Sequence, residues 1–193
     1  MKRIRITRDA NGDVNFETVS VDNTETVFFL NLDPIDEHFP TISANKLGVA
    51  PSPTSSQCHP VSPSTGATLS PYGCNLHPNE QGIINIFRPL TEDVTNLAQA
   101  TNGQPIAPQR VVKGGKSPYQ ISNEVFQILD GAGNVILNGP GIGPGLQLVP
   151  TANNNGISVT GTPTVSGTYQ FTFEVNDDMG KNLQQVMYSM IVT

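Results

Sequence analysis

Tyr72-Gly73-Cys74-Asn75-Leu76-His77-Pro78-Asn79-Glu80-Gln81-Gly82 puts a thiol, an imidazole and a carboxylate within seven residues. Pro78 and the flanking glycines turn the chain rather than wind it into a helix. Ile83-Ile84-Asn85-Ile86-Phe87 follows as a short apolar run, the pattern of a buried strand. A tight loop of soft and borderline donors, anchored by a strand, suits a transition metal. Thiolate favours copper(I) or zinc, and imidazole favours copper or zinc. The rest of the chain must then supply a further ligand and a rigid frame.

Upstream of this loop, Ile4-Arg5-Ile6-Thr7 alternates apolar and polar residues and predicts a strand with one wet face. Asp9 to Asp13 contains Asn-Gly, a hairpin signal. Phe16 to Val21 predicts a second strand, and Asp22 to Glu25 another turn. Thr26-Val27-Phe28-Phe29-Leu30-Asn31-Leu32 predicts a core strand that stops at Asp33-Pro34, because proline ends the ladder. His38 lies six residues past Leu32. Ala50 to Ser70 is rich in Pro, Ser and Thr, lacks periodicity and predicts an irregular connection carrying Cys58-His59.

Downstream, Arg88 to Asp93 opens a polar stretch, and residues 89–97 are expected to form a linker. From about Ala98 further strands are predicted, among them Val125–Leu129, Val135–Leu137, Ile157–Val159, Tyr169–Val175 and Val186–Val192. Turn residues separate them at sandwich-like spacing. No helical periodicity of any length is present. The expected class is all-β, in two tandem domains spanning 1–88 and 98–193.

Composition excludes several functions. The chain has 193 residues, 18 Gly, 16 Pro, no Trp and a formal net charge of −6. A net negative chain without a basic patch is not expected to bind nucleic acid. No run of about 18 apolar residues is present to span a bilayer. The basic start, Met1-Lys2-Arg3-Ile4-Arg5, has no apolar core like that of a signal peptide. Either the protein is cytosolic or a leader has been removed, and the immediate strand-like residues favour the latter. No serine sits in a nucleophile elbow, and no glycine loop precedes a helix to cradle phosphate. A non-enzymatic protein is expected. Asn176-Asp177-Asp178 predicts a polar turn rather than a calcium site, since calcium needs six or more oxygens.

The two cysteines leave two alternatives. Cys58 and Cys74 could close a disulfide around 15 intervening residues, worth about 3 kcal/mol in an oxidising compartment. Alternatively, Cys74 is a metal thiolate and Cys58 stands apart from it or serves a second site with His59.

Taken together, Val27-Phe28-Phe29-Leu30-Asn31-Leu32-Asp33, then His38, then Tyr72-x-Cys74-x-x-His77-Pro78-x-Glu80-x-Gly82-x-Ile84 resembles a cupredoxin of the amicyanin-like and plastocyanin-like group. The resemblance covers about residues 1–88. It implies a Greek-key β-sandwich or barrel binding one copper ion for one-electron transfer with a redox partner protein. It also implies a periplasmic or extracellular location. By that resemblance, His38, Cys74 and His77 would take the equatorial ligand positions, and Glu80 stands where the family has an axial Met. A carboxylate in place of a thioether is expected to favour copper(II) and lower the reduction potential, or to shift preference toward zinc.

Residues 98–193 resemble bacterial Ig-like domains. The matching residues include Gly114-Gly115-x-x-Pro118-Tyr119, Gly156-Ile157-Ser158-x-x-Gly161-Thr162-Pro163 and Gly167-Thr168-Tyr169-x-Phe171. This implies a β-sandwich spacer or adhesion module. The alternative for the whole chain is therefore a non-enzymatic extracellular structural module, with a degenerate metal site and a Cys58–Cys74 disulfide.

Overall fold

The computed structural model describes residues 2–36, 38, 40–42, 45–46, 56–60, 69–74, 77 and 79–193. They form two compact units, residues 1–87 and 88–193. Every regular element among them is a strand, so the protein is all-β, and among the described residues no helix is long and apolar enough to cross a membrane.

The first unit contains β1 (Lys2–Arg8), β2 (Val14–Phe16), β3 (Val19–Asp22), β4 (Thr26–Asn31), β5 (Pro40–Ile42), β6 (Asn45–Lys46), β7 (Ser56–Pro60), β8 (Leu69–Cys74) and β9 (Gln81–Phe87). One sheet runs β2-β1-β4-β7 and the other β3-β9-β8-β5-β6. Each inner face follows from period-two alternation. Ile4 and Ile6 on β1, with Val27 and Phe29 on β4, are buried from the first sheet. Val19 and Val21 on β3, with Ile84 and Ile86 on β9, are buried from the second. All belong to one apolar cluster, which makes the unit a β-sandwich. Two pairings, β1 with β4 and β3 with β9, are parallel.

Three expectations need correction. The strand expected over Phe16–Val21 is two strands, one in each sheet, because the chain crosses the sandwich between Phe16 and Val19. Phe16, Val19 and Val21 are all buried, but Phe16 and Val19 lie three residues apart, so the two-residue alternation breaks where the chain changes sheets. The connection expected to be irregular over Ala50–Ser70 contains β7, which pairs antiparallel with β4. This places the backbone of Cys58 opposite Phe28 and that of His59 opposite Val27. Residues 51–55 and 61–68 lie outside the described residues. Residues 89–97, expected as a linker, belong to the second unit. β10 (Thr91–Glu92) pairs with β11 (Ile106–Lys113), and Asp93 accepts hydrogen bonds from Arg110 Nε at 2.6 Å and Lys113 Nζ at 3.1 Å.

The second unit continues with β12 (Gln120–Leu129), β13 (Val135–Pro140), β14 (Leu146–Pro150), β15 (Gly156–Gly161), β16 (Gly167–Asn176), β17 (Asn182–Leu183) and β18 (Tyr188–Val192). One sheet runs β10-β11-β15-β14; the other runs β13-β12-β16-β17, with β18 also on β16. Tyr169, Phe171, Phe173 and Val175 alternate inward along β16. They meet Val111, Val112, Ile157 and Val159 of the opposite sheet in one buried cluster. The Tyr188 ring stacks on Phe171 and Phe173 at centroid distances of 5.6 and 4.9 Å, in the preferred range for aromatic pairs. Gly145 illustrates a glycine requirement. Its φ is +79°, and a Cβ there would lie 1.8 Å from the Thr162 carbonyl oxygen.

Candidate metal centre

β8 and β9 form a hairpin, with Tyr72 opposite Gly82 and Gly73 opposite Gln81. The Cys74 N–H donates to the Glu80 carbonyl at 3.0 Å, extending the ladder, and the Glu80 N–H donates to the His77 carbonyl at 3.0 Å. These two bonds hold Cys74, His77 and Glu80 on one short loop. β5 lies on the other side of β8, and Pro40 pairs with Cys74. His38 comes two residues before Pro40, so the β4–β5 connection delivers its imidazole to the same end of the sheet.

The four side chains converge. His38 Nδ1 lies 3.0 Å from Glu80 Oε2, and His77 Nδ1 lies 3.3 Å from the same oxygen. Cys74 Sγ lies 3.5 Å from His77 Nδ1. One donor atom from each of the four residues falls within 4.8 Å of all the others. The His38 side chain is fully buried, Glu80 is 17% exposed and His77 is 38% exposed. Phe16 packs edge-on against the His38 ring at 5.6 Å, and the His77 ring lies 5.5 Å away on a tilt.

Two of these atoms are unsatisfied. Among the described residues, His38 Nδ1 and Glu80 Oε2 are buried without a hydrogen-bond partner, although they face each other. Buried polar atoms without partners are uncommon and costly. A carboxylate oxygen and an imidazole nitrogen 3.0 Å apart, neither of them hydrogen-bonded, form an arrangement that a shared cation would relieve.

The opposite edge of the His38 ring is fully occupied. His38 Nε2 lies 2.8 Å from Asp33 Oδ2. Arg8 reaches the same carboxylate with a two-pronged contact, Nε to Oδ1 at 3.0 Å and Nη2 to Oδ2 at 2.7 Å. The Arg8 guanidinium, aided by His38 and the Ile35 N–H, holds the Asp33 carboxyl well below the usual range despite burial. Arg8 also contacts Asp36 and donates to the Gly12 carbonyl at 2.6 Å. The Arg8 pKa rises in turn, mainly through Asp33.

The sequence pattern pointed to His38, Cys74, His77 and Glu80, and the structure brings all four together. Sequence reasoning missed Arg8 and Asp33. Their signal lies in the parallel register of β1 with β4, where Ile6 pairs with Asn31; two residues further along, Arg8 comes level with Asp33. Cys74 stands as a buried thiol rather than one half of a disulfide. The side chains of Cys58 and His59 lie outside the described residues. Asp177 forms the expected polar turn: Oδ1 accepts from the Met179 and Lys181 N–H groups at 2.9 and 2.8 Å, and Oδ2 from the Lys116 N–H at 3.0 Å.

No protein-family model matches the chain, and no curated protein matches it. Among solved structures, the titin fragment A168169 is similar at 9% identity and a TM-score of 0.42, over 100% of this chain and 96% of that one. CopC from Methylosinus trichosporium OB3b is similar at 18% identity and a TM-score of 0.26, over 50% of this chain and 84% of that one. Fibronectin(III)-like modules of Clostridium thermocellum CbhA follow at 10% identity and a TM-score of 0.26, over 91% of this chain and 90% of that one. Likenesses this remote carry no argument about the site, and the β-sandwich description stands on strand pairing and burial.

Proposed function

We propose that the first unit binds one copper ion through His38 Nδ1, Cys74 Sγ, His77 Nδ1 and a Glu80 oxygen, and exchanges single electrons with a partner protein. The observation that carries this is the facing pair of unsatisfied atoms, His38 Nδ1 and Glu80 Oε2, inside a cluster that also holds a thiol and a second imidazole. The donor set fits the metal. Two imidazoles and a thiolate with a further oxygen suit copper, and copper(II) outcompetes zinc(II) at nitrogen and sulfur sites of this kind. Copper, when bound, would supply a one-electron couple.

The protein residues divide the remaining work. Cys74 would supply the thiolate ligand. Its burial, at 4% exposure, keeps water from the sulfur. His38 holds its position from the buried side. His77 is the most exposed of the four, so its ring edge is the surface through which a partner would make contact. Glu80 would add a negative charge that favours the oxidised metal and lowers the potential. Ligands held by the β8–β9 hairpin and the β4–β5 connection would move little between oxidation states, which would favour rapid transfer. The second unit serves as a β-sandwich spacer, and the location is periplasmic or extracellular.

Visible absorption tests the assignment. Copper(II) added to the full chain should produce an intense thiolate-to-copper band that saturates at one equivalent and vanishes in Cys74→Ser. A colourless titration with no bound copper would refute it, and zinc uptake with no copper uptake would replace electron transfer with a zinc site.

A further inference from the structure

We propose that Asp33 is the positioning residue that sets the tautomer and direction of the His38 ring, with Arg8 as the clamp that keeps the carboxylate aimed. This rests on the copper assignment above and extends it to residues that touch no metal. Asp33 Oδ1 accepts from Arg8 Nε and from the Ile35 N–H, each at 3.0 Å. Oδ2 accepts from Arg8 Nη2 at 2.7 Å and meets His38 Nε2 at 2.8 Å. An ionised carboxylate accepts about four hydrogen bonds and donates none. The Nε2 at Oδ2 must therefore carry the proton. In a neutral imidazole the other nitrogen then holds a lone pair, and that nitrogen is the Nδ1 that faces Glu80.

Both side chains of the Asp33–His38 pair are fully buried, so water does not compete for either nitrogen. The connection that carries them is tied down as well. The Asp33 N–H donates to Asn31 Oδ1 at 2.9 Å, and Asn31 Nδ2 donates to the Asp36 carbonyl at 3.0 Å. Arg8 comes from a different strand, and its contacts to Asp33, Asp36 and the Gly12 carbonyl fix the fork in one orientation. A carboxylate behind a ligating histidine fixes the ring and raises its basicity. Arg8-Asp33-His38 supplies that support from inside the sandwich.

Asparagine at position 33 reverses the logic. Its amide NH2 can donate to Nε2, which moves the ring proton to Nδ1, where it blocks a metal. The test uses the full chain with two measurements: imidazole nitrogen NMR on the metal-free protein, and copper(II) affinity by competition with a chelator. The wild type should show the Nε2–H tautomer at His38. Asp33→Asn should shift it to Nδ1–H and weaken copper(II) binding by roughly 10- to 100-fold. Arg8→Gln should weaken binding by a smaller factor, and Arg8→Lys should not fully restore it, because a single ammonium cannot replace the fork.

A wild-type Nδ1–H tautomer overturns the proposal, as does an Asp33→Asn variant that keeps both tautomer and affinity. Should Asp33→Asn not fold, the wild-type tautomer and the Arg8→Gln affinity decide: Nε2–H with weakened binding supports it, and unchanged binding overturns it. If the wild type binds no copper yet shows an Nε2–H tautomer that Asp33→Asn reverses, copper binding fails while the positioning role of Asp33 stands.

Discussion

Glu80→Gln is expected to stabilise the metal-free protein while weakening its hold on copper. In the wild type, Glu80 Oε2 faces His38 Nδ1 at 3.0 Å, and neither atom has a hydrogen-bond partner among the described residues. Glutamine is nearly isosteric and brings an amide N–H to that position, where it can donate to Nδ1. Relieving an unsatisfied buried group is worth about 1–3 kcal/mol. Glu80 keeps 17% exposure, which places the expected gain near the lower end, about 1 kcal/mol. With a urea dependence of about 1–3 kcal/mol per molar, the unfolding midpoint of the first unit should rise by roughly half a molar. The two units need not unfold together, so the assay is a urea titration in chelator, followed by amide signals of β8 and β9. A midpoint that falls would refute the reasoning, because it would mean that Nδ1 carries a proton and Glu80 is its ion-pair partner. Copper should invert the order, with the loaded wild type more stable than loaded Glu80→Gln.

Two further outcomes test the packing. Ile84 is fully buried between the sheets of the first unit, so Ile84→Ala should cost about 2–5 kcal/mol, read as a lower urea midpoint for β9 amides with β16 amides unchanged. Burial, with a smaller push from Glu92, raises the Tyr188 phenol to about 12. A folded-state value above the ordinary one of about 10 means that the folded state prefers the neutral phenol. Its contribution is complete below about pH 10 and fades as pH rises toward 12. The melting temperature of the second unit should fall over that window, and Tyr188→Phe should flatten the fall; an unchanged slope in the variant would place the alkaline loss elsewhere.

Local spacing made much of this protein legible from its sequence. Ile4/Ile6, Val19/Val21, Val27/Phe29 and Ile84/Ile86 alternate as inward strand faces must, and all eight are buried. Cys74, His77 and Glu80 sit on one hairpin loop, so their proximity follows from sequence separation alone. His38 required the resemblance to a cupredoxin, because the pairing of Pro40 with Cys74 that delivers it joins segments far apart in sequence.

What stayed hidden depends on long-range pairing. Arg8 meets Asp33 only because β1 and β4 run parallel in a register that composition does not encode. The break between Phe16 and Val19 was masked because both strands keep apolar residues inward while changing sheets. β7 escaped because Ser56-Gln57-Cys58-His59-Pro60 has no alternation, and its pairing comes from the edge of β4. Thr91-Glu92 is too short and polar to signal a strand, and partners on β11 hold it.

The most direct test is X-ray absorption at the copper edge of the fully loaded chain. One short copper–sulfur path together with two imidazole paths is the predicted signature, and Cys74→Ser should remove the sulfur while His38→Ala should remove one imidazole. A copper environment of nitrogen and oxygen alone in the wild type would contradict the account.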